Sequence, residues 1–308
     1  MARARVVIDT DPGVDDAVAI LLALASPELD VLALTTVTGN VGLDATTLNA
    51  RRLVQLAGRP EVIVARGCDQ PLAGPSVYSG DVHGRDGLGD LDWDQPDVAV
   101  HAEHAVDLQR QLIEEGPLTI VAIGPLTNLA VLLERYPDSV ERVQQVVIMG
   151  GASFEGNVTP AAEFNIWADP EAAQRVLSAR WPLIVLPLDL THQARLGDDD
   201  LQFFRELGTE VGRRVADMLE PYAAFHERWY GNRHIIMHDA TAVYELLDPG
   251  AINKQGARVA VETGGEHSRG ATWFDRRREH ERSSLRVGLG LDNERFVSLV
   301  RQRLATYP

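Results

Sequence analysis

The chain has 308 residues, 45% of them hydrophobic, which is long and apolar enough for a sizeable core and argues against global disorder. Lys and Arg total 29 against 45 Asp and Glu, a formal charge of −16, which disfavours nucleic acid or an anionic membrane as main partner because both need a basic face. Cys68 is the single cysteine, the start MARARVVIDT has no signal-peptide pattern, and no run reaches the roughly 18 apolar residues of a membrane helix, so a reducing, cytoplasmic setting is expected.

In chain order, a first β-branched run at 4–9 ends in DTDPGVDD, and a helix is expected over 14–25. Strands follow at 31–38, 62–65, 118–123, 145–150 and 182–188, with helices at 44–57, 98–115, 126–135 and 170–179 between them. Continuously apolar strands separated by helices indicate a parallel sheet covered on both faces. The expected class is therefore α/β, an open, mostly parallel sheet with helices on both faces, Rossmann-like, in one domain over 1–308. The last third changes character, with long helical stretches near 199–230 and 238–247, strand-like RVAVET and ATWFD, and a closing helix, Asn293–Leu304. The charged run from GGEHSRGATWFD to LRVGL reads as a solvated edge hairpin. Two segments, 66–97 and 150–168, resist assignment, and long loops within a compact fold are usually functional or mobile. In an open α/β sheet, ligands sit beyond the carboxyl ends of the strands, where parts of both loops would lie.

The first strand–helix junction raises the sharpest question, because Asp9, Asp11, Asp15 and Asp16 crowd it. Helix capping and the helix dipole account for one or two acids there. A divalent cation accounts for the remainder, and an all-oxygen set favours Ca²⁺ or Mg²⁺ over Zn²⁺.

DTDPGVDDAVA (9–19) is similar over its whole length to the signature of the inosine–uridine-preferring nucleoside hydrolase family. TGN (38–40), HGRDGLG (83–89), AIGPLTNLA (122–130), MGG (149–151), GNVTPAAEFNIWADPEAA (156–173), HDA (238–240) and SRGAT (268–272) recur in the family's order, so the resemblance spans essentially the whole chain. It implies hydrolysis of the N-glycosidic bond of ribonucleosides to ribose and free base, in purine or pyrimidine salvage, by a homodimer or homotetramer. It implies one Ca²⁺, held by the side chains of Asp11, Asp16 and Asp239 and the backbone carbonyl of Thr127. Asp11 would also take the proton of the attacking water, and the acidic pocket would stabilise an oxocarbenium-like transition state.

By the same resemblance Asp15, Asn40, Asn157, Glu163 and Asn165 would hold the ribose, with Met149 packed beneath it. Taken alone, Asn157 reads as a turn residue, Asn165 as a cap and Met149 as core. His238 matches the general-acid position for the leaving base, and His83 a position near the base. Tyr222, Phe225, His226, Trp229 and Tyr230 could close over the base, although their spacing is also that of a buried helix face. Ala240 stands where the family usually has Pro. His238 leans towards pyrimidine-preferring or broad specificity. Asp9 has no assigned ligand role and is expected to support the others by hydrogen bonding. The alternatives are a hydrolase of unusual ribosides on the same scaffold, a riboside binder without turnover, and a Mg²⁺-dependent haloacid-dehalogenase-like phosphatase, which also carries Asp-x-Asp on its first strand.

Overall fold

The computed structural model describes residues 3–308. Its first half runs β1 (Ala4–Thr10), α1 (Val14–Leu24), β2 (Leu29–Thr36), α2 (Leu43–Leu56), β3 (Ile63–Arg66), α3 (Gly80–His83), α4 (Ala105–Glu115), β4 (Leu118–Ala122), α5 (Thr127–Arg135) and β5 (Val143–Met149). The second half runs α6 (Phe164–Ala168), α7 (Pro170–Leu177), β6 (Leu183–Leu186), α8 (Leu188–Thr191), β7 (Arg195–Leu196), α9 (Asp198–Glu206), α10 (Glu210–Tyr230) and β8 (Ile235–Ile236). It closes with α11 (Ala240–Leu247), β9 (Asn253–Gly256), β10 (Arg258–Val261), β11 (Thr272–Asp275), β12 (Leu285–Gly290) and α12 (Asn293–Leu304).

Eight strands form the central sheet in the order β3-β2-β1-β4-β5-β6-β12-β9, and β9 alone runs antiparallel to its neighbour. Alternation along β1 divides the core: Val6 and Ile8 face α1, α2 and the later helices α9 to α12, while Val7 faces α4, α5 and α7. All 11 residues of α1 are buried, so its apolar run VAILLAL lacks a polar face and the helix lies within the core. The chain steps outward from β1 through β2 to β3 and then returns to pair β4 with the other side of β1. That reversal opens a crevice at the carboxyl ends of β1 and β4, the place where such sheets bind ligands.

Three expectations need correction. The helix expected over 98–115 begins only at Ala105, because 98–104 is irregular, Val100 bridges Val64, and the His104 side chain caps α4 by accepting from Val106 N–H at 3.3 Å. The helical stretch 199–230 is two helices, α9 and α10, separated at 207–209, where Thr209 Oγ1 accepts from Gly212 N–H at 3.1 Å and starts the second. In the C-terminal run, β10 and β11 do form an antiparallel pair, but LRVGLG is β12, inserted between β6 and β9 of the central sheet. Its glycines hid it. A Cβ on Gly288 would stand 2.8 Å from Leu186, so the bare backbone is what allows β12 to pack there.

Candidate active site

The crevice is built from the turn that follows β1. Asp16, in the first turn of α1, accepts from Gly13 N–H at 2.9 Å and from the Thr10 hydroxyl at 2.5 Å, which ties the helix start to the strand end. Asn40, in the loop after β2, donates its backbone N–H to Asp11 Oδ2 at 2.7 Å and its side-chain amide to Asp16 Oδ2 at 3.1 Å. Backbone also crowds Asp11: a Cβ on Gly39 or Gly124 would lie 2.0 Å or 2.5 Å from its carboxylate oxygens. Asp239 enters from the start of α11, and Asp15, Asp16 and Asp239 bring carboxylate oxygens within 4.8 Å of one another. The most exposed of Asp11, Asp15, Asp16 and Asp239 is Asp15, at 5%.

Burial and then mutual repulsion set the protonation of this group. Asp11 and Asp239 are pushed well above the usual carboxylate range, first by desolvation and then by their carboxylate neighbours. Asp15 is pushed up to about 8 by burial and by Asp16, and Asp16 is raised by burial. The lining of the adjacent cavity contains no Lys or Arg among the described residues. Asp11 Oδ1 is buried without a hydrogen-bond partner among them. Buried acids with no organic cation and an open oxygen lone pair fit a hard divalent ion, which takes oxygen ligands.

Asp9 lies behind this group. Its Oδ2 accepts from Thr35 at 2.6 Å, Gln109 at 2.7 Å and Asn128 at 2.9 Å, while burial outweighs those bonds and lifts its pKa to about 6. It does not line the cavity.

The cavity measures about 420 Å³. Its polar lining includes Asp15, Asn40, Asn157, Glu163 and Asn165, with Met149 beside them. Glu163 caps α6, accepting from Asn165 N–H at 2.9 Å, and also accepts from Gly151 N–H at 2.9 Å; burial raises its pKa to about 7. Asn165 donates its amide to the carbonyls of Ile123 at 3.1 Å and Met149 at 3.3 Å, which leaves its oxygen free. Asn157 accepts from Phe164 N–H at 2.9 Å, so it is at once a structural residue and a lining one.

The lining is also aromatic and imidazole-rich, with His83, which lies 3.8 Å from Asp15, and Tyr222, Phe225, His226, Trp229, Tyr230 and His238. Of the 222–230 run, Tyr222 and His226 are buried, all five residues line the cavity, and Trp229 stands 66% exposed. His83 accepts from Val14 N–H at Nδ1, 3.1 Å away, which leaves its proton on Nε2. Burial and the nearby His226 lower its pKa to about 3, and the ring stacks on Tyr222 at 5.6 Å. His238 Nδ1 is 2.7 Å from the Thr191 hydroxyl, and burial and His192 hold its pKa well below the usual value.

Thr127 does not line the cavity; it opens α5, just beyond the turn carrying Gly124. Several supporting residues were missed in the sequence. Thr10 and Asn128 sit inside recognised segments and could have been singled out there. Gln109, Thr191 and Ser79, which donates to Asn40 Oδ1 at 2.6 Å, carry no such local signal.

An open parallel sheet with a carboxylate-lined crevice at its reversal point, beside aromatic and imidazole side chains, offers a place for a cation and a polar ligand next to a flat, apolar one. The chain belongs to the inosine-uridine preferring nucleoside hydrolase family, which matches residues 6–298. It is 40% identical to the pyrimidine-specific ribonucleoside hydrolase RihA of Shewanella woodyi, over 98% of each chain. A solved plant nucleoside hydrolase aligns with a TM-score of 0.93 at 36% identity, covering 98% of this chain and 99% of that one. A purine-preferring ribonucleoside hydrolase from Gardnerella vaginalis aligns equally well, TM-score 0.93, at 31% identity over 98% of each chain. The protein is an enzyme, an N-glycosyl hydrolase of ribonucleosides, and the phosphatase alternative falls. No helix among the described residues is long and apolar enough to cross a membrane.

Proposed function

We propose that the protein cleaves ribonucleosides to ribose and base in a Ca²⁺-dependent reaction, with pyrimidine-preferring or broad base specificity. The observation that carries this reading is the unpartnered Oδ1 of Asp11 within a buried group of acids beside a cavity whose lining has no Lys or Arg, the nearby His83, 3.8 Å from Asp15, being held neutral by burial. Asp11, Asp16, Asp239 and the Thr127 carbonyl would hold the ion. An ion held there would supply Lewis-acid activation of a water and a positive anchor for ribose hydroxyls. Asp11 removes a proton from the attacking water. Asp15, Asn40, Asn157, Glu163 and Asn165 fix the sugar, and Met149 packs beneath it. The surrounding acids favour the positive charge that develops on the ribose ring as the bond to the base breaks.

At the base, His83 is a neutral Nε2–H donor. His238 would act as the proton source in its imidazolium form, with Nδ1–H donating to the Thr191 hydroxyl and Nε2–H passing to the departing base, which returns the ring to neutral imidazole; the burial that lowers its pKa makes that imidazolium a strong acid. Assembly as a homodimer or homotetramer, and a single domain over the whole chain, rest on the family resemblance. The pyrimidine lean is supported by the similarity to the pyrimidine-specific RihA of Shewanella woodyi; a broader range is supported by the purine-preferring structure that aligns as well.

The deciding experiment is a panel of uridine, cytidine, inosine and adenosine, each with and without chelator. Uridine and cytidine should match or exceed inosine in kcat/KM, and chelation should abolish turnover until Ca²⁺ is restored. Hydrolysis that ignores chelator would sink the metal assignment. Replacing His238 with Ala should lower kcat/KM by roughly 100-fold or more on nucleosides with poor leaving groups. A p-nitrophenyl riboside, whose leaving group needs no proton, should be far less affected. Equal losses on both would remove the proton-donor role.

A further inference from the structure

Asp169 is fully buried and outside the cavity, and nothing in the mechanism above uses it. Its Oδ1 accepts from Ala172 N–H at 3.0 Å and so caps α7, an ordinary helix-start arrangement. Its Oδ2 does something else. It accepts from the Thr127 hydroxyl at 2.7 Å and from Leu72 N–H at 2.8 Å, two donors from segments 55 residues apart in sequence, by subtraction of 72 from 127. The neighbouring residue, Asn128, grips the same loop a second time by accepting from Cys68 N–H at 2.8 Å, and also donates to Asp9. The first turn of α5 is thus clamped twice to the start of the loop that continues to Tyr78, Ser79 and His83 on the cavity wall. Serving two donors on one oxygen while capping with the other requires a carboxylate, since an amide would turn an NH₂ towards one pair.

We propose that Asp169 is a positioning residue which, through the Thr127 hydroxyl, fixes the turn that presents the Thr127 carbonyl to the calcium ion and couples that turn to the loop on the cavity wall. This rests on the reading of Thr127 as a calcium ligand. Groups behind metal ligands typically influence metal affinity by 10- to 100-fold, roughly, when removed. Binding free energies are reciprocal, so a calcium ion held through this clamp also steadies the loop, and substrate affinity should fall with metal affinity.

The test compares Thr127→Val, Thr127→Ser and Asp169→Asn with the wild type. The first removes only the hydroxyl, the second restores it, and the third removes the acceptor. Calcium affinity is read by calorimetry on the chelator-stripped protein without substrate, and KM and kcat are measured separately at saturating calcium. Thr127→Val and Asp169→Asn should each bind calcium roughly 10-fold or more weakly, with KM raised more than kcat is lowered, and Thr127→Ser should bind as the wild type does. Wild-type calcium affinity in either Thr127→Val or Asp169→Asn overturns the proposal. If Asp169→Asn does not fold, the Thr127→Val and Thr127→Ser pair decides alone. A wild-type protein that binds no calcium would instead overturn the metal reading itself.

Discussion

Asp11→Ala is expected to lower kcat/KM on uridine by about 1,000-fold or more, with the far-UV circular dichroism of the wild type retained. Two losses combine. The variant removes the proposed proton acceptor, an effect of about 100- to 10,000-fold for a well-placed base, and it removes one proposed ligand of the ion. Folding should survive because Asp11 is a net burden on the metal-free fold: desolvation and Asp16 already push its pKa well above normal, and only Asn40 N–H is lost as a partner. Asp11→Asn is the companion variant. It keeps an acceptor for Asn40 yet cannot take a proton, so it should be nearly as inactive. Turnover within tenfold of wild type in Asp11→Asn would reject Asp11 as the base.

The second large effect concerns stability after the ion is stripped. In the metal-free site the folded pKa of Asp15 is about 8, and those of Asp11, Asp16 and Asp239 are also raised. Unfolded aspartates titrate near about 3.9. A raised carboxylate pKa means the folded protein prefers the protonated form. This contribution is most favourable below the unfolded pKa and is lost as pH rises through the folded values. Bound calcium reverses the preference because it favours ionised ligands. The melting-temperature gap between calcium-loaded and chelated protein should therefore widen from about pH 5 to about pH 8. At a hundredfold excess of calcium over its Kd, the loaded form should be more stable by about 2.7 kcal/mol. A gap that narrows over that range would rule out ligation by these carboxylates.

Much of this was legible in the sequence. The strands β1, β4 and β5 announced themselves because parallel strands buried on both faces are continuous apolar runs, and DTDPGVDD marked the crevice because so many acids cannot sit at a buried corner without a purpose. What stayed hidden was whatever depends on distant chain. The sequence of β12 is poor in strand formers and makes sense only between β6 and β9. Gln109 reads as one more polar residue on an amphipathic helix until the fold carries it, across 100 residues, to Asp9. The clamp of Asp169 on Thr127 and Leu72 is likewise a property of three loops meeting, not of any one of them.

The walls of the cavity differ in how tightly they are built in. The acids stand at the head of α1, a helix with every residue buried, whereas Trp229 and Tyr230 stand on the last turn of α10 with 66% and 41% of their surface in solvent. Substitution near the acids must disturb the interior; substitution in that last turn displaces mostly water. A lineage could therefore explore new aglycones by altering the outer wall while the acids proposed to carry the chemistry stay unchanged. A directed-evolution campaign aimed at base preference has its natural starting library at 225, 229 and 230.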